Sequence, residues 1–162
     1  MQTHTRKDPA ERGHLRFFYR DWRPTRFGRL WIGAYAWLAA HGLTPELLLA
    51  LQVKDRTSGA LHTTVLAPAE YGGQRYVVSM LGETSEWVRN LRATGGEAFI
   101  KRGASRPVRL VEIPAEARAP ILKAWCQIAT SGRQHIPVPH DAPTSAFEGV
   151  ASDYPVFRID PR

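Results

Sequence analysis

Thiols are almost absent from this 162-residue chain, which has one cysteine, Cys126. A single thiol excludes an internal disulfide and a thiolate-based metal site, and it fits a reducing, cytoplasmic setting. Cys126 stands beside Trp125 in an amphipathic stretch, where a buried and inert cysteine is expected. Long apolar runs are missing too. The longest, Leu30 to Ala40, falls far short of the roughly 20 residues that a spanning helix needs. Residues 1–14 are polar, with no apolar segment where a secretory signal would carry one. Acidic charge is scarce: 15 Asp and Glu stand against 22 Lys and Arg, a net charge of +7.

Several motifs are also absent. There is no G-x-S-x-G nucleophile elbow, no G-x-G-x-x-G and no P-loop, so neither an acyl-transfer serine nor a Rossmann or P-loop phosphate cradle is supported. The six histidines lack ligand spacing. His135 and His140 lie in a Pro-rich stretch with only Asp141 beside them, so no metal site is expected.

The cationic excess is concentrated at the N-terminus. Residues 1–30 hold eight Lys and Arg against three Asp and Glu, and residues 31–162 hold fourteen against twelve. A basic segment attracts polyanions: nucleic acid, an anionic membrane or a phosphorylated cofactor. No nucleic-acid motif accompanies it, so nucleic acid is the weakest of the three. Residues 1–14 read as a flexible basic tail and 15–162 as one domain, with 15–43 as its N-terminal helical arm. Phe27, Leu30, Trp31, Ala34, Trp37 and Leu38 fall at helical spacing, with Pro24 placed for the first turn and Gly42 for the stop. The aromatic face of this helix has three candidate covers: the domain core, a second copy in a homodimer, or a membrane surface met by residues 15–41.

Past Pro45 the pattern changes to short strands separated by turns. Leu47 to Lys54 leads into the turn Asp55-Arg56-Thr57-Ser58-Gly59. His62 to Ala67 and Arg75 to Met80 follow, the latter entered through a hairpin turn at Tyr71-Gly72-Gly73-Gln74. Ser85 to Ala93 reads as a helix with Ser85 as N-cap and Trp87, Val88 and Leu91 on one face. Glu97 to Lys101 and Pro107 to Ile113 form a strand pair. Pro114 opens a helix through Ala129, Thr130 to Asp153 is a long loop, and Tyr154 to Asp160 is a final strand. Hairpin-joined strands with helices at the ends predict an antiparallel, barrel-like α+β domain. The turn after Lys54 gathers two cations, hydroxyls and turn amides at one strand end, which can serve as an anion site or be a solvated hairpin turn.

The segments D-R-T-S-G, L-H-T-T-V-L, V-V-S-M-L-G and Trp87-Val88-Arg89-Asn90-Leu91-Arg92-Ala93 stand in the order and near the spacing of a known pattern. That pattern has a G-R-K-S/T-G turn, a P-R-x-x-P-L return strand, a Ser-Gly strand end and a W-x-x-N-L-x-A block. The chain thus resembles the deazaflavin-dependent nitroreductase family, including its actinobacterial quinone reductases. The likeness covers Leu47 to Ile100 and Tyr154 to Pro161. It implies a split β-barrel of the flavin-binding type, dimeric, that binds reduced coenzyme F-420 and passes a hydride to a small-molecule acceptor such as a quinone or nitro compound.

Carried over residue by residue, the resemblance implies cofactor contacts from Lys54, Arg56, Thr57, Ser58, Gly59, His62 and Thr64 on the phosphate side. Ser79, Met80, Gly82, Trp87 and Asn90 would lie nearer the ring and ribityl chain. Thr57 and His62 replace the family's lysine and arginine, so Lys54, Arg56 or Arg89 must supply the positive charge. His135, His140 and Tyr154, on the long loop and the last strand, are the candidate proton donors. An FMN- or haem-binding barrel and a non-catalytic, membrane-associated module are the alternatives.

Overall fold

Leu49, Leu51 and Val53 alternate with Gln52 and Lys54, and the period of two makes a strand with one apolar face. In the computed structural model, which describes residues 19–20, 23–24 and 48–162, this segment is β3 (Leu49–Lys54), and the three odd positions are buried. The chain divides into two units, Met1–Tyr35 and Ala36–Arg162. In the first, β1 (Tyr19–Arg20) and β2 (Arg23–Pro24) pair antiparallel. Pro24, expected in the first turn of a helix, is therefore a strand residue. The basic tail and the aromatic helix expected after Pro24 lie outside the described residues.

Six further strands complete the second unit: β4 (Leu61–Leu66), β5 (Pro68–Tyr71), β6 (Gln74–Val78), β7 (Glu97–Arg102), β8 (Ala104–Glu112) and β9 (Val156–Pro161). With β3 they make a seven-stranded antiparallel sheet in the order β4-β3-β7-β8-β9-β6-β5. β4 and β5 occupy opposite edges of that order, yet Ala67 alone separates them. One residue spans at most about 3.6 Å, so the sheet has to curl until its two edges approach each other. The result is an α+β split β-barrel.

Two clusters fill the two faces of the curled sheet. On the inner face, Leu51, Val53, Val77, Val108, Leu110 and Phe157 meet Val88 and Leu91 of α1 (Glu86–Ala93). Burying each of these apolar side chains contributes roughly 1.5–3 kcal/mol. On the outer face of β5, β6 and β9, Ala69, Tyr76, Val78 and Val156 are covered by α2 (Ala119–Ile128), with Phe147 of α3 (Thr144–Glu148) also in the cluster. Trp125 of α2 donates its indole N–H to the Ala67 carbonyl at 3.0 Å, satisfying the residue that joins the two sheet edges.

The chain departs from the sequence expectation in four places. β5 is an extra strand between Ala67 and the Gly72-Gly73 hairpin. β8 begins at Ala104, with Pro107 inside it opposite Phe99. The helix expected from Pro114 starts at Ala119, after a 3-10 turn at Ala115–Ala117. The segment 130–153, expected as a loop, holds α3 and two 3-10 turns, Arg133–His135 and Ala151–Asp153. It is a packed segment, anchored by Ile136 and the fully buried Phe147. Among the described residues no helix is long and apolar enough to cross a membrane.

Candidate functional site

The turn after β3 is built around one carboxylate. Asp55 Oδ1 accepts the amide N–H of Ser58 at 2.7 Å, the amide of Thr57 at 3.0 Å and the Ser58 hydroxyl at 3.0 Å. Aspartate at the head of a turn bonds its own backbone in this way. The Ser58 amide first, then the Thr57 amide and the Ser58 hydroxyl, hold the Asp55 carboxyl down at about 2. Gly59, at φ 72°, closes the loop, donating its amide to the Asp55 carbonyl at 2.9 Å. The turn amides that the sequence offered to an external anion are thus engaged by the chain's own carboxylate. Asp55 also faces His62, whose Nε2 lies 3.8 Å from Oδ2.

Asn90 joins this turn to α1. Its side chain is buried, with Oδ1 accepting the Arg56 amide at 3.3 Å and Arg56 Nη1 at 2.7 Å, while Nδ2 reaches Asp55 Oδ2 at 3.4 Å. Two segments more than thirty residues apart therefore form one rim. Arg56 Nη1 also meets Glu86 Oε2 at 2.7 Å, and Arg89 Nη1 meets Glu86 Oε1 at 3.2 Å. The Arg56 hydrogen bond, with the charges of Arg56 and Arg89, holds the Glu86 carboxyl below its ordinary value.

A second polar knot launches α1. Ser79 donates its hydroxyl to the Gly82 carbonyl at 2.8 Å, and its oxygen stands 2.6 Å from the Ser85 hydroxyl oxygen. Ser79, Gly82 and Ser85 are all buried, and Gly82 takes φ 73°. Ser85 is the N-cap residue by position, but its hydroxyl bonds Ser79 rather than a helix amide. The knot fixes where Glu86, Trp87 and Asn90 emerge. Trp87 is half-buried and meets Phe157 edge-on, ring centroids 5.4 Å apart.

The structure gathers Arg56, Thr57, Ser58, Gly59, His62 and Asn90 at the turn-to-helix rim. Cross-strand pairing puts His62 opposite Val53 and Thr64 opposite Leu51, on the inner face that α1 covers. Lys54 pairs with Leu61 and so projects to the other face. Met80 lies apart from the rim, packed against the outer cluster: a Cβ added to Gly132 would meet both Met80 and Trp125. Tyr154 is buried and donates its hydroxyl to the His135 carbonyl at 2.7 Å, while His140 is exposed in the same C-terminal segment. Asp55 and Glu86 were not singled out from sequence. The Asp-x-x-Ser spacing of Asp55 and Ser58 carried the signal for the first. The i, i+3 spacing to Arg89 was the local signal for the second, and nothing local marked its meeting with Arg56.

A separate cleft of about 300 Å³ is lined by Leu91, Arg92, Gly96, Arg109, Glu112 and Phe157, among others. Arg92, on its wall, bonds Glu112, also a lining residue, and Glu83. Among the described residues no group of three or more His, Cys, Asp or Glu side chains could hold a metal ion. Cys126 is fully buried, and burial pushes its thiol up to about 11, which leaves it inert at neutral pH.

No family model and no curated protein matches the chain. Similar solved structures include an F-420-H2-dependent reductase, 20% identical, covering 71% of this chain and 95% of that one at a TM-score of 0.43. An FAD-binding protein from Mesorhizobium loti is 15% identical, with coverages of 78% and 89% and a TM-score of 0.47. A haem-binding protein from Mycobacterium smegmatis is 17% identical, with coverages of 78% and 51% and a TM-score of 0.47. The chain spans about half the length of some of the chains it matches. These are likenesses of fold, shared by proteins whose ligands differ.

Proposed function

We propose that this chain is an oxidoreductase that binds reduced coenzyme F-420 and passes a hydride to an organic acceptor such as a quinone or nitro compound. The observation that carries the reading is the bonding of Arg56 to Asn90. It joins the two segments that most closely follow the deazaflavin-reductase pattern, D-R-T-S-G and Trp87 to Ala93, into one rim.

The donor set fits a phosphorylated cofactor through side chains rather than through turn amides. Among the described residues, Nε and Nη2 of Arg56 donate to nothing, and guanidinium N–H groups suit phosphate geometry. Arg56 and Arg89 hold the phosphate, and His62 adds a third cation when protonated. Thr57, Ser58, Gly59 and Thr64 line the same edge, and Lys54 extends the positive field from the opposite face. Trp87, steadied by Phe157, flanks the ring, while Asp55, Ser79, Gly82 and Asn90 hold the rim in place. Met80, packed in the outer cluster, has no part in this site.

When bound, the deazaflavin supplies the hydride. Reducing a quinone to its hydroquinone consumes that hydride and one proton. His135, His140 and Tyr154, expected as proton donors, stand with the outer cluster rather than at the rim, so solvent supplies the proton. The chain's own residues bind and orient.

Fluorescence titration with F-420, with FMN in parallel and haem followed by absorbance, tests the reading. Saturable binding of F-420 alone upholds it. Binding of FMN or haem alone keeps the fold and replaces the cofactor. Arg56→Ala is expected to weaken F-420 about ten- to hundredfold, the loss of one or two charge-assisted hydrogen bonds. The unphosphorylated head group should be affected less, and equal losses would remove Arg56 from the phosphate side. Trp87→Ala should weaken both, and an unchanged titration would remove Trp87 from the site.

A further inference from the structure

Glu86 holds two arginines at once. One carboxylate oxygen meets Arg56 at 2.7 Å and the other meets Arg89 at 3.2 Å, and the Glu86 side chain is itself 65% exposed. A solvent-exposed ion pair contributes little to stability, so the fold has no strong need of this one. It does place an anion between two guanidinium groups that keep donors to spare. Among the described residues, the Arg89 side chain bonds only Glu86 and the Arg56 side chain bonds only Glu86 and Asn90.

We propose that Glu86 is an internal occupant of an anion site. Its carboxylate sits where a phosphate oxygen of an incoming phosphorylated ligand would sit, and the ligand binds by displacing it from Arg56 and Arg89. The proposal deepens the reductase reading and rests on it for the identity of the ligand. The two-arginine clamp itself is a feature of these side chains and takes a phosphate group of any origin. Glu86 thereby sets affinity and selectivity: a monoanion competes poorly with the resident carboxylate, whereas a phosphate dianion reaches both guanidinium groups at full charge.

Glu86→Gln tests this, because it removes the charge and keeps the shape at an exposed position. Titrations with F-420 of wild type, Glu86→Gln, Arg56→Ala and the double variant form a cycle. The expected result is binding about three- to tenfold tighter in Glu86→Gln, with that gain lost in the Arg56→Ala background. The same gain should appear in phosphorus NMR titrations with inorganic phosphate. If F-420 binds wild type but Glu86→Gln leaves its affinity unchanged, Glu86 is no competitor and the inference falls while the reductase reading stands. If F-420 binds no variant, the reductase reading falls. Phosphate then decides the inference: tighter phosphate binding by Glu86→Gln upholds it, and equal binding overturns it.

Discussion

Asp55 accepts two amides and a hydroxyl, so its ionised form is far better satisfied in the folded chain than in the unfolded one. A carboxyl held at about 2 when folded, against roughly 3.9 unfolded, contributes stability that is fully present above the unfolded value. That contribution is lost as pH falls through the folded value. The melting temperature of wild type should therefore exceed that of Asp55→Asn by a constant margin above about pH 4. The margin should shrink between about pH 4 and 2, and a margin independent of pH would show that the charge of Asp55 has no part in holding the turn. Ser79 acts by another route, since its buried hydroxyl satisfies both Gly82 and Ser85. Ser79→Ala leaves those partners short of a bond and should cost about 1–3 kcal/mol, measured by urea denaturation. Cofactor affinity should fall with it, because the knot fixes where Trp87 and Asn90 emerge, and unchanged affinity would show that the knot serves stability alone.

At the scale of elements, Arg118 ties the C-terminal segment to the sheet. It is 6% exposed and donates to the carbonyls of Ile113, Ala151 and Tyr154 and to Glu112. Arg118→Met removes these donors together and strands the carbonyls it served, at about 2–4 kcal/mol. Hydrogen exchange should rise selectively over 150–155, and uniform loosening of the whole chain would contradict a local tie. Gly96 governs another junction, between α1 and β7. It takes φ 88°, and a Cβ there would stand 2.5 Å from the Leu110 carbonyl oxygen. Gly96→Ala combines a left-handed backbone with a backbone clash, so it should destabilise by about 2–4 kcal/mol, read from the shift in denaturation midpoint.

For the molecule as a whole, the curled sheet depends on pairings between distant parts of the chain. β3 pairs β7, and Val78 of β6 pairs Val156 of β9. Loop closure must precede such contacts, so refolding is expected on a timescale of milliseconds to seconds, observed by stopped-flow tryptophan fluorescence. Microsecond refolding would argue against a nucleus that contains these pairings.

Much of this architecture was legible as local pattern. The alternation of Leu49, Leu51 and Val53, the Gly72-Gly73 hairpin and the apolar face of Val88 and Leu91 are effects of backbone period and glycine geometry, which act over a few residues. They established the strands, the helix and the α+β class. The resemblance located the turn at Arg56 and the block at Trp87 as candidate segments. Two features depended on neighbours distant in sequence. The segment 130–153 folds because Ile136 and Phe147 reach the outer face of the sheet. Glu86 meets Arg56 only after Asn90 has drawn the turn onto α1. Local sequence determined the elements, since propensity and period are properties of short segments. Tertiary structure alone decided that Arg56 meets Glu86 and Asn90 at the rim, since that pairing depends on distance in space rather than on distance along the chain.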